Sequence, residues 1–365
     1  MVTMSSRPMD MAALRQSFAG KRVFVTGHTG FKGSWLAFIL AEVGAEVMGY
    51  ALPPADAASH FELLQLSQRI THLEADIRDA GALTSAIHAF EPEFVFHLAA
   101  QALVNASYAD PVTTFSTNVM GSVNLLDAVR RTESVRSLVY VTSDKCYENA
   151  EWVWGYREND RLGGHDPYSA SKAAAEIAFS AYASSFLSKR PELGAATARA
   201  GNVIGGGDWA ADRIVPDCVR ASASGAAIQL RRPDATRPWQ HVLEPLSGYL
   251  LLATQLRQAP QKYAGAWNFG PPSSEVRTVR EVAETVMEHL GSGHVEVLGA
   301  PPDLHEANLL QLNCDKAHQY LGWYPRWNVD TALRTTAQWY GVTRAGAAAD
   351  SVTRGQVVNY FEGRA

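Results

Sequence analysis

Residues 22–33 decide the fold; they read Arg22-Val-Phe-Val-Thr-Gly-His-Thr-Gly-Phe-Lys-Gly33. The first five residues form a β-branched run typical of a buried strand, and an apolar helical pattern follows from Trp35 to Leu40. The turn between them has the spacing G-x-x-G-x-x-G. Glycines let a backbone approach phosphate groups, and the N-terminus of the following helix offers free N–H groups and a positive dipole end. This context predicts dinucleotide binding; the alternative is a tight turn that simply requires glycine.

Alternating strands and helices extend outward from this stretch. We predict further strands at Glu46–Tyr50, Ile70–Glu74, Phe94–Leu98, Ser137–Thr142 and Ala195–Ala200, with helices at about 79–90, 112–130 and 168–187. This order indicates an α/β fold with a Rossmann-type, doubly wound parallel sheet and a smaller mixed α/β lobe. The predicted divisions are an N-terminal arm (1–19), a dinucleotide-binding domain (20–200), a substrate-binding lobe (201–345) and a C-terminal tail (346–365).

Composition excludes several classes of protein. The 365 residues carry a net charge of −5 with no basic block, so we expect neither nucleic acid nor an anionic membrane as partner. Three cysteines are too few for a disulfide framework and too widely spaced for a metal site. No apolar run approaches the roughly 20 residues that cross a bilayer. We therefore expect a cytoplasmic protein without a bound metal.

A second pattern, Tyr168-Ser-Ala-Ser-Lys172, opens a predicted helix and places its first and last residues on one face. A free phenol titrates at about 10 and is a poor base at neutral pH. A lysine cation and a nicotinium charge nearby would lower the pKa of Tyr168. We expect this pair to be catalytic; an ordinary exposed helix face is the alternative.

The preference for NAD or NADP stays open at this stage. The acidic residue that usually contacts the adenosine ribose is missing, since the second strand ends in Gly49-Tyr50-Ala51-Leu52. Asp76 either reaches the adenine or caps a helix. Lys32 either touches phosphate or is a solvated helix residue.

The glycine turn, His97-Leu-Ala-Ala100, Ser143 and the Tyr168/Lys172 pair together resemble the extended short-chain dehydrogenase/reductase superfamily, and within it the nucleotide-sugar dehydratases. The resemblance covers about residues 18–345 and extends to the segments Thr142–Tyr147, Arg199–Asn202 and Arg237–His241. It implies that Ser143 binds the sugar oxygen that is oxidised. The dTDP-glucose dehydratases carry Asp-Glu at the next two positions. Asp144-Lys145 departs from them and agrees with the branch that acts on CDP-glucose.

The resemblance implies oxidation of the sugar at C4, loss of water across C5–C6 and return of hydride to C6, with a tightly bound nicotinamide cofactor, NAD or else NADP. Asp144 is the candidate acid, which needs a raised pKa, and Lys145 the candidate C5 base, which needs a lowered one; a water could take over either role. The alternatives are a dehydratase for another nucleotide, a 4-epimerase, and a non-catalytic cofactor-binding scaffold. A 4-epimerase would not need the acid–base pair.

The resemblance also implies binding residues and an assembly. The expected cofactor contacts are Gly27, Thr29, Gly30, Phe31, Lys32, Gly33, Tyr50, Asp76, Ile77, Leu98, Ala99, Ala100, Gln101, Asn118, Tyr168 and Lys172. The expected contacts for the CDP-glucose substrate are Ser107, Asn202, Arg213, Arg237 and His305. Helices 112–130 and 168–187 would pair across a homodimer or homotetramer interface, although packing on their own sheet explains the same pattern.

Overall fold

A seven-stranded parallel sheet forms the centre of the molecule in the computed structural model, which describes residues 9–297 and 309–363. Its strands run in the order β11-β6-β5-β4-β1-β2-β3. They are β1 (Arg22–Thr26), β2 (Glu46–Ala51), β3 (Thr71–Glu74), β4 (Phe94–His97), β5 (Ser137–Val141), β6 (Gly194–Ala200) and β11 (Gly265–Phe269). Strands β1 to β3 extend the sheet to one side of β1 and strands from β4 onward extend it to the other, so the carboxyl ends of the parallel neighbours β1 and β4 flank a crevice suited to a ligand.

Helices cover both faces of this sheet. Those before β5 are α1 (Met11–Phe18), α2 (Phe31–Glu42), α3 (His60–Leu63), α4 (Ala80–Phe90), α5 (Val104–Ala109), α6 (Pro111–Phe115) and α7 (Ser122–Arg131). Those after it are α8 (Pro167–Ser185), α9 (Ile214–Ser224), α10 (Leu243–Gln258), α11 (Pro260–Tyr263), α12 (Val279–Leu290), α13 (Val329–Arg344) and α14 (Ala349–Glu362). Helices α4, α7 and α8 enclose one apolar core and α2 and α10 belong to the other, so the strands between them are buried on both sides.

Short strand pairs build the second lobe. They are β7 (Val203–Ile204) with β10 (Gln240–His241), β9 (Thr236–Pro238) with β12 (Val276–Thr278), and β8 (Ala227–Leu230) with β13 (His294–Val297). Only the pair of β9 and β12 among these described strands is antiparallel. The lobe is therefore mixed α/β, as expected.

The packing crosses the predicted divisions of the chain. Strand β11 comes from the segment assigned to the lobe, yet it pairs with β6 along its whole length as the edge of the central sheet. The predicted arm contains α1, whose Phe18 ring lies 4.9 Å from that of Phe94. The predicted tail contains α14, where Tyr360 and Phe361 are buried. These segments are ordered because each has apolar side chains to bury against the domain.

The helix predicted over 112–130 is helical throughout, but not all of it is α-helical. Residues Ser116–Gly121 form a π-helical turn between α6 and α7. A Cβ at Gly121 would lie 2.6 Å from a methyl carbon of Ile77, so this helix passes unusually close to the loop after β3. Within the described residues, no helix has both the length and the apolar character needed to cross a bilayer.

Candidate active site

A cavity of about 750 Å³ opens at the carboxyl ends of the central strands and extends into the second lobe. Its walls include most of the predicted site residues, namely Gly27, Thr29, Gly30, Phe31, Lys32, Gly33, Tyr50, Asp76, Ile77, Leu98, Ala99, Ala100, Ser143, Asp144, Lys145, Tyr168, Lys172, Asn202, Arg213 and Arg237. The topology explains this gathering, since the loops that follow parallel strands all emerge at one edge of a sheet.

The glycine turn forms a backbone cradle at one end of the cavity. A Cβ at Gly27, where φ is +74°, would lie 2.7 Å from the amide nitrogen of Ala99. A Cβ at Gly33 would lie 2.0 Å from the carbonyl oxygen of Gly27. None of the described side chains caps α2 at Gly30, so backbone N–H groups at the start of this helix are available to an anion. The cradle fits a dinucleotide diphosphate.

Tyr50 and Asp76 meet at the far side of this cradle. The Tyr50 hydroxyl donates to the carbonyl oxygen of Asp76 at 3.0 Å. The Asp76 carboxylate accepts from the Arg78 guanidinium, with a shortest distance of 2.6 Å. Hydrogen bonds from Arg78 lower the pKa of Asp76. The helix-cap interpretation of Asp76 is wrong, because the cap of α4 is Asp79, whose side chain accepts from the Ala82 amide at 2.9 Å.

Tyr168 and Lys172 lie on the cavity-facing side of α8, close to its start. Asp166 caps the helix by accepting from the Ser169 amide at 2.9 Å. Burial raises the pKa of Tyr168 to about 12, although a hydrogen bond with Ser143 acts in the opposite direction. Burial lowers the pKa of Lys172 to about 8. The protein by itself therefore does not lower the pKa of Tyr168, because desolvation of the phenolate outweighs the neighbouring charges.

Ser143, Asp144 and Lys145 form a tight turn after β5. The Ser143 hydroxyl donates to Asp144 Oδ1 at 2.9 Å and accepts from the Lys145 amide at 3.2 Å. Asp144 is 3% exposed, and this burial raises the pKa of its carboxyl group. The direction is the one that a proton donor needs. Residues Asp144–Cys146 turn as one short 3₁₀ helix, which points successive side chains in different directions around the cavity.

Lys32 lies inside the cavity and is not a solvated helix residue. Burial lowers the pKa of its ammonium group to about 8, with Arg213 acting in the same direction and Asp144 in the opposite one. These three charged groups therefore share one region, between the glycine cradle and the turn formed by Ser143, Asp144 and Lys145.

Three predicted contacts, Ser107, Gln101 and Asn118, are not part of the cavity wall. Ser107 is fully buried, and its hydroxyl accepts from the Tyr168 amide at 3.1 Å. Asn118 accepts from the Gln101 amide at 2.8 Å and donates to the hydroxyl of Ser171 at 2.9 Å. These polar groups are buried because they hold α8 against the loop after β4. A fourth predicted contact, His305, lies outside the described residues.

The end of the cavity in the second lobe combines cations with an apolar slot, which is lined by Ile228, Leu230, Val279 and Leu310. Arg213 pairs with Asp208 at 2.7 Å, and Arg237 donates to the carbonyl oxygen of Thr236 at 2.8 Å. Sequence reasoning missed several wall residues here: Asp208, Asp217, Gln229, Arg231, Arg232, Val279 and Leu310. The adjacent arginines at 231 and 232 were a signal for an anionic ligand. The apolar members gave none, since any buried residue has the same character.

His97 does not line the cavity. Its ring nitrogens lie 2.7 Å from the Thr26 hydroxyl and 2.9 Å from the Ser122 hydroxyl, and burial lowers its pKa to about 3. Both ring nitrogens therefore have hydrogen-bond partners within the core. Among the described residues, no cluster of three histidine, cysteine or acidic side chains could hold a metal ion.

Comparisons with known proteins agree with this architecture. The chain matches the model of the GDP-mannose 4,6-dehydratase family over residues 24–336. It is 47% identical over 325 residues to the CDP-glucose 4,6-dehydratase of Salmonella typhimurium. The aligned region covers 88% of this chain and 90% of the relative.

Two solved structures share the fold. The dTDP-glucose 4,6-dehydratase of Streptomyces venezuelae, solved with NAD bound, has a TM-score of 0.74 at 25% identity, covering 89% of this chain and 98% of its own. The UDP-glucose 4-epimerase of Thermus thermophilus, in complex with NAD, has a TM-score of 0.73 at 28% identity and covers 89% and 100%. The predicted fold class is confirmed.

Proposed function

The chain belongs to the GDP-mannose 4,6-dehydratase family, and on that premise we propose that it converts CDP-glucose into CDP-4-dehydro-6-deoxyglucose and water. The resemblance to nucleotide-sugar dehydratases of the short-chain dehydrogenase/reductase superfamily is confirmed by the family match. One observation carries the proposal: Asp144 and Lys145 line the same cavity as Tyr168 and Lys172. A proton donor and a base are thus available beside the groups that oxidise an alcohol.

The chain's own residues support the oxidising half of the reaction by moving a proton. When bound, a nicotinamide cofactor supplies an acceptor for hydride from C4 of the sugar. The Tyr168 phenolate takes the proton of the C4 hydroxyl, and Ser143 orients that oxygen through a hydrogen bond. Lys172, one helical turn further along α8, stabilises the phenolate.

Elimination then requires an acid and a base. The C4 ketone acidifies the hydrogen on C5, and Lys145 removes it. Asp144, whose carboxyl pKa is raised by burial, donates a proton to the C6 hydroxyl, which leaves as water. The 5,6-alkene left by elimination would then gain at C6 the hydride removed from C4 and at C5 a proton from the Lys145 ammonium, while the proton taken up by Tyr168 balances the one lost by Asp144. The overall reaction is therefore that of a hydro-lyase, with no net oxidation in the product. The acid–base pair also argues against the 4-epimerase alternative and the non-catalytic scaffold, as does the 47% identical relative.

Substrate binding is assigned to the second lobe. Arg213 and Arg237 would hold the diphosphate, since guanidinium groups form paired hydrogen bonds to phosphate oxygens. Asn202 lies beside them on the wall, and the apolar slot would enclose the base. We propose NAD as the cofactor because the dehydratase and the epimerase structures that share this fold both hold NAD.

Exposed and buried side chains support a proposed assembly and a proposed location. Val112, Met120 and Ile177 are exposed apolar residues on the helical surface formed by α6, the π turn and α8. We propose that this surface forms a homodimer, which light scattering would detect as twice the mass of one chain. The cysteines Cys146, Cys218 and Cys314 are buried thiols, which fits a reducing cytoplasm.

The decisive experiment offers CDP-, dTDP-, GDP- and UDP-glucose separately to the protein supplied with NAD. A 4-keto-6-deoxysugar absorbs in the near ultraviolet after alkali treatment, so product is measured directly. We expect product from CDP-glucose well above the other three. Faster turnover of another nucleotide sugar would correct the assignment of the base, and epimerised sugar without loss of water would overturn the dehydratase.

A further inference from the structure

Glu176 is the third member of a series on one face of α8. Tyr168, Lys172 and Glu176 are spaced four residues apart, so they lie one above another along the helix. Glu176 is 4% exposed and its partner Arg199, on β6, is 3% exposed. A carboxylate and a guanidinium are rarely buried this completely, because each loses its hydration.

Both carboxylate oxygens of Glu176 are fully engaged. Arg199 donates from Nε to Oε1 and from Nη2 to Oε2, both at 2.8 Å. The hydroxyl of Thr142, at the end of β5, donates to Oε1, and the hydroxyl of Thr197 donates to Oε2 at 2.9 Å. The glutamate therefore joins α8 to β5 and β6, immediately beside the turn that carries Ser143.

Arg199 extends the connection to the far side of that turn. Its Nη1 donates to the Tyr147 hydroxyl at 2.7 Å, and its guanidinium lies 4.9 Å from the centre of the Tyr147 ring. The Tyr147 hydroxyl in turn donates to Asn268 Oδ1, on β11, at 2.8 Å. The catalytic turn thus has both of its ends, Thr142 and Tyr147, bonded to a single buried ion pair.

The pair also acts on Lys172 through its charge. Burial is the largest influence on the pKa of Lys172 and lowers it, whereas negative charge on Cys146 or Glu176 raises it; burial raises the pKa of the Cys146 thiol well above its usual value. The other ionisable groups near Lys172 lie on the elements packed around it: Tyr168 on α8, Cys146 on the turn, His97 on β4, Lys32 on α2 and Arg199 on β6. The two buried imidazole and thiol groups are neutral, which leaves Glu176 as the anion one turn away on the same helix.

We propose that Glu176, paired with Arg199, is a positioning residue for catalysis: it fixes the turn of residues 142–147 against α8 and keeps an anion next to Lys172. The inference rests on the proposed function, since it gives Glu176 a role through Lys172, Ser143 and Asp144. A purely structural ion pair would stabilise the fold without changing the titration of Lys172.

The test compares three single variants. Glu176→Gln keeps the shape but removes the charge, Glu176→Asp keeps the charge, and Thr197→Val removes one hydrogen bond without changing any charge. Lys172 is titrated in the protein alone by its rate of reaction with an amine-specific reagent at a series of pH values, followed by mass spectrometry of the labelled peptide. This measurement needs no turnover.

We expect Glu176→Gln to move the midpoint of Lys172 labelling to lower pH by about one unit, because the protonated amine loses its anion. The same variant should lower kcat by about 10- to 100-fold with little change in KM. The alkaline limb of its profile of kcat against pH should move together with the labelling midpoint. Glu176→Asp should restore the midpoint, and Thr197→Val should leave it unchanged. An unchanged midpoint in a folded Glu176→Gln protein would overturn the proposal.

If the Glu176→Gln protein does not fold, a double variant tests the same role. Glu176→Leu combined with Arg199→Met replaces the pair by apolar groups of similar size, a change that buried ion pairs often tolerate. It should also lower the labelling midpoint, and an unchanged midpoint there counts equally against the proposal. If the wild-type protein forms no product from CDP-glucose, the proposed function fails, while the labelling midpoints still decide the role of Glu176.

Discussion

Substituting Asp144 by asparagine isolates the acid of the elimination step. Asparagine has the same shape and keeps an oxygen to accept the 2.9 Å hydrogen bond from Ser143, so the turn should retain its geometry. It cannot give up a proton to the C6 hydroxyl. The wild-type carboxyl group is 3% exposed and has a raised pKa, so it supplies that proton from a site that water reaches poorly.

The size of the effect follows from the chemistry of proton transfer. A positioned general acid contributes about 10²- to 10⁴-fold to a rate, or roughly 3–5 kcal/mol of barrier. We expect kcat of Asp144→Asn to fall by this factor with KM almost unchanged. The C5 hydrogen should still exchange with deuterium from solvent, because Lys145 and the C4 oxidation remain.

A matched control is Asp208→Asn, which removes another buried carboxylate from the same cavity. Asp208 pairs with Arg213 at 2.7 Å, so its loss should raise KM for the nucleotide sugar and leave kcat within about tenfold of wild type. Product would be measured by alkaline absorbance and C5 exchange by proton NMR. An Asp144→Asn enzyme with near wild-type kcat would refute the assignment of the acid.

Three further predictions concern the cradle, the start of α8 and pH. Gly33→Ala should weaken nicotinamide dinucleotide binding at least about tenfold in calorimetry, because its Cβ would lie 2.0 Å from a backbone oxygen, whereas Gly341→Ala, in open space on α13, should not. Ser107→Ala should lower the free energy of unfolding by about 0.5–2 kcal/mol, since the Ser107 hydroxyl accepts from the Tyr168 amide behind the cavity wall. The KM for CDP-glucose should change less than threefold. A large rise in KM would identify Ser107 as a substrate contact. Burial raises the pKa of Glu244 from 4.5 to about 7. The protonated carboxyl group therefore contributes its full amount to the stability of the fold below pH 4.5, and this contribution is lost as the pH rises through about 7. Between pH 4.5 and 7, the free energy of unfolding of the wild type, measured by urea denaturation, should therefore fall by roughly 3 kcal/mol relative to that of Glu244→Gln. An equal change with pH in the two proteins would contradict the assignment.

Much of the sheet could be predicted because its signals are local. Strand β1 has the predicted bounds, Arg22–Thr26, since a β-branched run between polar flanks specifies a buried strand without help from distant residues. The π turn of Ser116–Gly121 could not be predicted, because it depends on how closely Gly121 approaches Ile77. The membership of β11 in the central sheet is likewise a long-range property.

The site divides in the same way. Some predicted site residues are identified by a backbone requirement or by a fixed spacing. Gly33, Tyr168 and Lys172 are of this kind, and all three line the cavity. Ser107 and Asn118 do not, because a polar side chain near a site can serve either the ligand or the scaffold. Sequence type does not distinguish these roles; only the partner of the hydroxyl or amide does.

Burial has one consistent effect on three titratable groups of the site, Tyr168, Lys172 and Asp144. It raises the pKa of Tyr168 to about 12, lowers the pKa of Lys172 to about 8 and raises that of Asp144, so it favours the neutral form of each. For Asp144 the neutral form is the useful one, since it carries the proton to be donated. For Tyr168 it is not, and at pH 8 a pKa of about 12 leaves only about one phenol in 10⁴ ionised. The protein's own cations do not close this gap, although Arg213 acts in that direction. Ionisation of Tyr168 must therefore depend on positive charge that arrives with a ligand, which ties the start of the reaction to a fully assembled site.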